Sequence, residues 1–89
     1  MKIMTQNLIE QQYDLLSKGI LITILSCKDS NQRDLFRVYF KDLNNGYLHN
    51  PLNKENDKTI IPLYNTAIEA LEEIIKQAYK YLENEKINN

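Results

Sequence analysis

Residues 34–49 read DLFRVYFKDLNNGYLH, and the alternation of apolar and polar side chains in their first half decides the fold. A strand presents successive side chains to opposite faces, so Phe36, Val38 and Phe40 take one side and Arg37, Tyr39 and Lys41 the other. The apolar set is assigned to the core. Asn44-Asn45-Gly46 marks the reversal, because Asn and Gly adopt the positive φ of a type I′ turn at least cost, and residues 47–50 return as a third strand. The register sets where the only histidine goes. A two-residue Asn45-Gly46 loop pairs Asp42 with His49 on the side of Phe40. A three-residue loop with a bulge pairs Lys41 with His49 and turns Leu48 inward. The second is expected, since it buries a leucine and exposes the histidine; a slip of one residue reverses every side chain.

Upstream of the hairpin, ILITILSC (residues 20–27) is β-branched and apolar on both faces, which predicts a central strand covered on both sides. Before it, Leu8, Ile9, Tyr13, Leu15 and Leu16 recur at helical spacing from about Gln6 or Leu8 to Lys18. Thr5 or Asn7 is the expected cap, the latter with Glu10 in a capping-box spacing. Gly19 follows, where a left-handed residue ends a helix.

Downstream, PLNKENDK (residues 51–58) is polar and aperiodic and predicts an exposed loop. TIIPLY resumes apolar character, but Pro62 lacks a donor and limits it to a short or edge strand. Thr66 and Glu69 form a capping box for a last helix, about Ala67 to Asn84. Its expected stripe is Ile68, Leu71, Ile75, Ala78 and Leu82, broadened by Ile74 and Tyr79, with Glu72 and Lys76 as an ion pair on the wet side.

The fold class that follows is α+β in two layers: an antiparallel three- to four-stranded meander with N- and C-terminal helices packed on one face, in the order α-β-β-β-(β)-α. A chain of 89 residues buries too little surface for two cores, so residues 1–89 form one domain, frayed at about 85–89.

Eleven basic and twelve acidic side chains leave a net charge of −1, which gives no global field for nucleic acid or an anionic membrane. The longest apolar run, GILITIL, is far too short to span a bilayer, and the N-terminus lacks the apolar centre of a signal peptide. A cytoplasmic setting without membrane contact is expected. Cys27 is the single cysteine, so no intrachain disulfide forms and no zinc spacing exists.

Catalysis has little to work with. Ser26 and Cys27 end one strand and His49 lies on another, so a nucleophile and its base have no reason to meet. Glu69, Glu72 and Glu73 lie on the wet side of a helix. Two glycines cannot build a phosphate-cradling loop, and Glu55 and Asp57 do not match a calcium loop. No enzyme activity, cofactor or metal is expected.

The outward residues of the hairpin carry the functional expectation. Arg37, Tyr39, Lys41, Tyr47 and His49 form a candidate partner-binding patch of the composition found at protein interfaces. The expected function is that of a small non-enzymatic protein-binding module. Size and composition are those of phage or mobile-element inhibitors that block a host protein such as a defence nuclease, an anti-CRISPR-like role by analogy only. The alternative is a single-stranded nucleic-acid-binding domain using the open sheet face, where tyrosine stacks on bases and cations meet phosphates. A third option is a self-associating subunit or homodimer, since Ile74 and Tyr81 widen the last helix's stripe. Tyr13 and Tyr79 are assigned to half-buried edges of the core.

Overall fold

The computed structural model describes residues 4–55 and 58–87. Helix α1 (Met4–Ser17) leads into strand β1 (Ile20–Lys28), and β2 (Asp34–Asp42), β3 (Leu48–His49), β4 (Asn53–Glu55), β5 (Lys58–Ile60) and helix α2 (Ala67–Ile87) follow. The sheet order is β1-β2-β3 with both pairings antiparallel. Both helices lie on one face of it: α1 packs on β1 and α2, and α2 on β2 and β1. The meander and its two-layer arrangement are those the alternation predicts.

The helices start and stop for local reasons. α1 begins at Met4, so the expected cap positions Thr5 and Asn7 both fall inside its first turn. Its end is the expected one. Gly19 takes φ of 86°, and its N–H donates to the Leu16 carbonyl at 2.9 Å. This left-handed turn lets the chain double back with Leu15 and Ile20, 0% and 1% exposed, both in the core. At the start of α2 the Glu69 N–H donates to Thr66 Oγ1 at 3.1 Å, which is the capping bond the spacing predicts. The helix continues past Asn84 to Ile87; residues 88 and 89 of the expected frayed tail lie outside the described residues.

Phe40, Leu15, Ile20 and Ile74 are the largest fully buried side chains, each contributing about 1.5–3 kcal/mol by its removal from water. Val38, Leu8, Ile75, Ala70 and Ala78 complete the core. The centre of the α2 stripe is therefore Ile74, fully buried, while Ile68 at the first turn is 43% exposed. On α1, among the residues whose burial is described, only Leu8 and Leu15 are buried; Ile9, Tyr13 and Leu16 face outward. The helix presents a narrow stripe because β1 and α2 meet only one side of it. Tyr79 is half-buried as expected, but Tyr13 is 69% exposed.

β1 departs from its expected place. Among the described residues it pairs with β2 alone and forms an edge, and the helices cover only one face of the sheet, so Leu21 and Leu25 stay exposed. The central strand is β2. β3 occupies its second edge beside Phe40 and Lys41. Farther along that edge Tyr64 exchanges two backbone hydrogen bonds with Phe36, at 2.8 and 2.9 Å. The optional fourth strand is reduced to this bridge, since Pro62 has no N–H to extend it.

The expected loop at residues 51–58 has structure of its own. Asn53–Glu55 pair with Lys58–Ile60 as a small antiparallel ribbon, separate from the main sheet, and Pro51 is buried. Asp57, one of the carboxylates weighed for calcium, lies outside the described residues.

Candidate functional site

The hairpin uses neither expected register. Phe40 pairs with His49 and Lys41 with Leu48, and a four-residue loop, Leu43–Gly46, joins the strands. Asp42 N–H donates to the Tyr47 carbonyl and Gly46 N–H to the Asp42 carbonyl, both at 2.8 Å. Only Gly46, φ 79°, is left-handed in this loop. A type I′ turn would force Asn45 to positive φ as well, whereas the longer loop leaves that conformation to glycine alone. Side chains then satisfy the loop's donors: Asn44 N–H donates to Asp42 Oδ1 at 3.0 Å and Tyr47 N–H to Asn45 Oδ1 at 2.9 Å.

This register divides the expected patch between two faces. Residues directly opposite on paired strands share a face, so His49 joins Phe40, and Tyr47 joins Asp42, on the side of the helices. Arg37, Tyr39 and Lys41 stay on the open side, and Leu48, paired with Lys41, stays there with them. Leu48 is 49% exposed, the reverse of its expected burial.

On the open face, Leu21 pairs with Lys41, Thr23 with Tyr39, and Leu25 with Arg37. The result is a row of aliphatic side chains on β1 beside cations and a phenol on β2. Arg37 and Tyr39 are half-buried and Lys41 is exposed. Neither cation has an ion pair among the described residues, and none of the side chains this face takes from β1, β2 or β3 is a carboxylate. Such a surface offers apolar contact area together with two cations free to meet an acidic group.

On the helix side, Tyr47 and His49 form a second cluster. The His49 ring lies stacked on Phe40, with centroids 4.7 Å apart and 17° between planes. Its Nε2 stands 2.7 Å from Gln77 Oε1, while Gln77 Nε2 donates to Glu73 Oε1 at 3.0 Å. Glu73 accepts only, which orients the Gln77 amide and makes His49 Nε2 the donor. Nδ1 then accepts from the Tyr47 hydroxyl at 3.1 Å. Both ring nitrogens are taken up within the fold.

Tyr81 closes this cluster. Its ring stacks on Tyr47 at 5.2 Å, and its hydroxyl donates to Asp42 Oδ2 at 2.7 Å. Burial pushes the Tyr81 phenol above its ordinary range, and the bond to Asp42 adds to the rise. Asp42 itself is 6% exposed and is the hub between loop and helix. Beside it, Tyr47, His49, Lys76, Gln77, Lys80 and Tyr81 line an open cleft of about 590 Å³.

Two further expectations resolve here. Ile74 is fully buried and Tyr81 is hydrogen-bonded, so neither is a surplus apolar group for self-association. Lys76 lines the cleft and makes no ion pair with Glu72 among the described residues. Cys27, whose thiol donates to the Leu35 carbonyl at 3.6 Å, sits opposite Leu35 on the open side, whereas His49 sits opposite Phe40 on the helix side. Among the described residues no three His, Cys, Asp or Glu side chains gather as metal ligands would, and no helix is long and apolar enough to cross a membrane.

Tyr81, Gln77 and the aliphatic trio Leu21, Leu25 and Leu48 were not legible as site residues. Asp42 carried a signal, since an Asp two residues ahead of Asn44 is the spacing of an Asx turn. Comparison with protein families, with characterised proteins and with solved structures finds no match to this chain.

Proposed function

We propose that the chain is a small protein-binding module that acts through its open sheet face. Arg37, Tyr39 and Lys41 form the centre, and Leu21, Leu25 and Leu48 the apolar surround. The observation that carries this reading is the pairing of exposed aliphatic side chains with two cations that have no carboxylate on their own face. The complementary partner is a protein surface with apolar residues flanked by Asp or Glu, and occupying such a surface is how an inhibitor or adaptor works. Tyr47 and His49 drop out of the centre, since their side chains lie on the helix side, against Tyr81 and Gln77. That an inhibitor of this kind comes from a phage and blocks a host nuclease rests on size and composition alone.

The test uses the intact chain as bait in a lysate of its source organism, with captured proteins identified by mass spectrometry. The Arg37→Ala/Tyr39→Ala variant serves as the second bait. A protein retained by the native chain and lost by the variant, at unchanged melting temperature, supports the reading. Equal capture by both baits refutes it.

Single-stranded nucleic acid is the second reading, favoured by the same tyrosine and cations on an uncovered sheet. It expects an oligonucleotide to be retained at low salt and released as salt rises, because phosphate contacts displace counterions. No retention at low salt removes it.

A further inference from the structure

Among the described residues the outer edge of β1 is unpaired, and from Ile20 to Cys27 it has none of the features that keep sheet edges apart. Phe36 exchanges both its backbone bonds with Tyr64, so it points away from β1. By the strand's alternation, Ser26, Ile24 and Ile22 point away from β2 and direct their N–H and C=O groups outward. The β1–β2 ladder belongs to Leu21, Thr23, Leu25 and Cys27. Exposed edges are ordinarily blunted by a charge, a proline or a bulge. Residues 20–27, ILITILSC, contain neither charge nor proline, and the register with β2 runs without a bulge from Ile20 to Lys28.

The flank of this edge is apolar too. Tyr13 and Leu16 on α1, 69% and 47% exposed, form with Ile20, Leu21 and Ile22 a shallow hollow of about 110 Å³. α1 thus stands beside the edge without sealing it.

We propose that this edge pairs with a second copy of itself, antiparallel about a two-fold axis at Thr23, joining two three-stranded sheets into one of six strands. Self-complementarity selects this occupant. In that register Thr23 faces Thr23 of the other copy, Leu21 faces Leu25, and Ile22 faces Ile24, so the aliphatic side chains from Leu21 to Leu25 meet one another, because LITIL reads the same in both directions. At both ends the same register sets Lys28 of one copy opposite Lys18 of the other, and each of these lysines already has its own carboxylate, Asp34 at 2.7 Å and Asp14 at 2.8 Å, so the two ends meet as ion pairs and not as bare cations. Tyr13 and Leu16 of the two copies then approach across the new seam. The dimer sets two Arg37–Tyr39–Lys41 patches on one continuous face, but it stands whether or not those patches bind a partner.

The experiment is sedimentation of the full chain over a concentration series, with two sets of variants. Thr23 opposite itself is a non-hydrogen-bonded pair with Cα atoms about 4.5 Å apart, within disulfide reach. Thr23→Cys in a Cys27→Ser background is therefore expected to cross-link on mild oxidation, and Ser26→Cys in the same background is not. Ile24→Pro removes an outward N–H without touching the β1–β2 ladder and should sediment as a monomer. If that variant fails to fold, Thr23→Lys places two like charges on the axis and should do the same. A monomer at every concentration overturns the proposal. So does a dimer that survives the edge variants and does not cross-link through residue 23, and so does an edge whose amides gain protection from exchange only with a foreign strand.

Discussion

His49 lies flat against Phe40 because the two residues are directly opposite on β3 and β2, and this contact places the histidine inside the fold. Phe40 is completely buried, and the imidazole is the lid on one side of its ring. His49→Ala is expected to lower stability by about 1–2 kcal/mol, from lost ring contact and the broken hydrogen bonds to Gln77 and Tyr47. Chemical denaturation gives the stability, and capture of the partner by the open face is expected to be unchanged. Lost capture in a folded His49→Ala protein would return the histidine to the binding centre.

Asp42 is the second position where loop and core meet. Its carboxylate accepts from Asn44 N–H and from the Tyr81 hydroxyl. Asp42→Ala leaves both donors without this acceptor in a nearly closed site and is expected to cost about 2 kcal/mol. Asp42→Asn keeps one acceptor oxygen and should cost less. Equal losses in the two variants would show that side-chain volume, not the acceptor, holds the loop.

The two glycines are expected to differ. Both have left-handed φ, so alanine at either is strained by about 1–2 kcal/mol. Gly46 has open space where a Cβ would stand, whereas a Cβ on Gly19 would collide with the Asn44 amide, which donates to the Lys18 carbonyl at 3.3 Å. Gly19→Ala should therefore be the more destabilising in denaturant titrations. If Gly46→Ala proves worse, backbone strain at the hairpin outweighs the clash.

Asp14 and Tyr79 tie α1 to α2 and make stability depend on pH at both extremes. The Tyr79 hydroxyl donates to Asp14 Oδ2 at 2.6 Å. Burial first, then this bond, push the Tyr79 phenol up to about 12 from its ordinary 10.0. A raised phenol favours the folded state fully below pH 10.0 and loses that contribution as pH rises through about 12. For Asp14, the hydrogen bond from Lys18 first and that from Tyr79 second hold the carboxyl below its ordinary 3.8, so its contribution is present above that value and fades as pH falls. Tyr79→Phe should flatten the alkaline decline in melting temperature, and Asp14→Asn the acid one. A Tyr79 phenolate absorbance that rises around pH 10.0 and not toward 12 would contradict the assignment.

Much of the fold was legible in the linear chain. Alternation through Phe36, Val38 and Phe40 settles which face of β2 is buried, since a strand's side-chain period leaves no other choice once one set is apolar. Gly19 and the Thr66–Glu69 pair bound the helices by backbone geometry that depends only on neighbouring residues. The hairpin register, the edge position of β1 and the sharing of β2's second edge by β3 and Tyr64 were decided by tertiary structure. Asn44-Asn45-Gly46 is compatible with loops of two, three or four residues. What selects four is the stacking of His49 on Phe40, the Tyr81–Asp42 bond and the strain avoided at Asn45, and two of these need α2 or the core in place. The apolar character of β1 likewise signals low solvation but not what covers it, because leucines on a bare sheet face and leucines under a helix are the same letters. The sequence by itself determined the elements and the inward face of the hairpin; only packing against α2 decided that Tyr47 and His49 lie on the helix side, with Tyr47 still 44% exposed at its rim, while Arg37, Tyr39 and Lys41 lie on the open side.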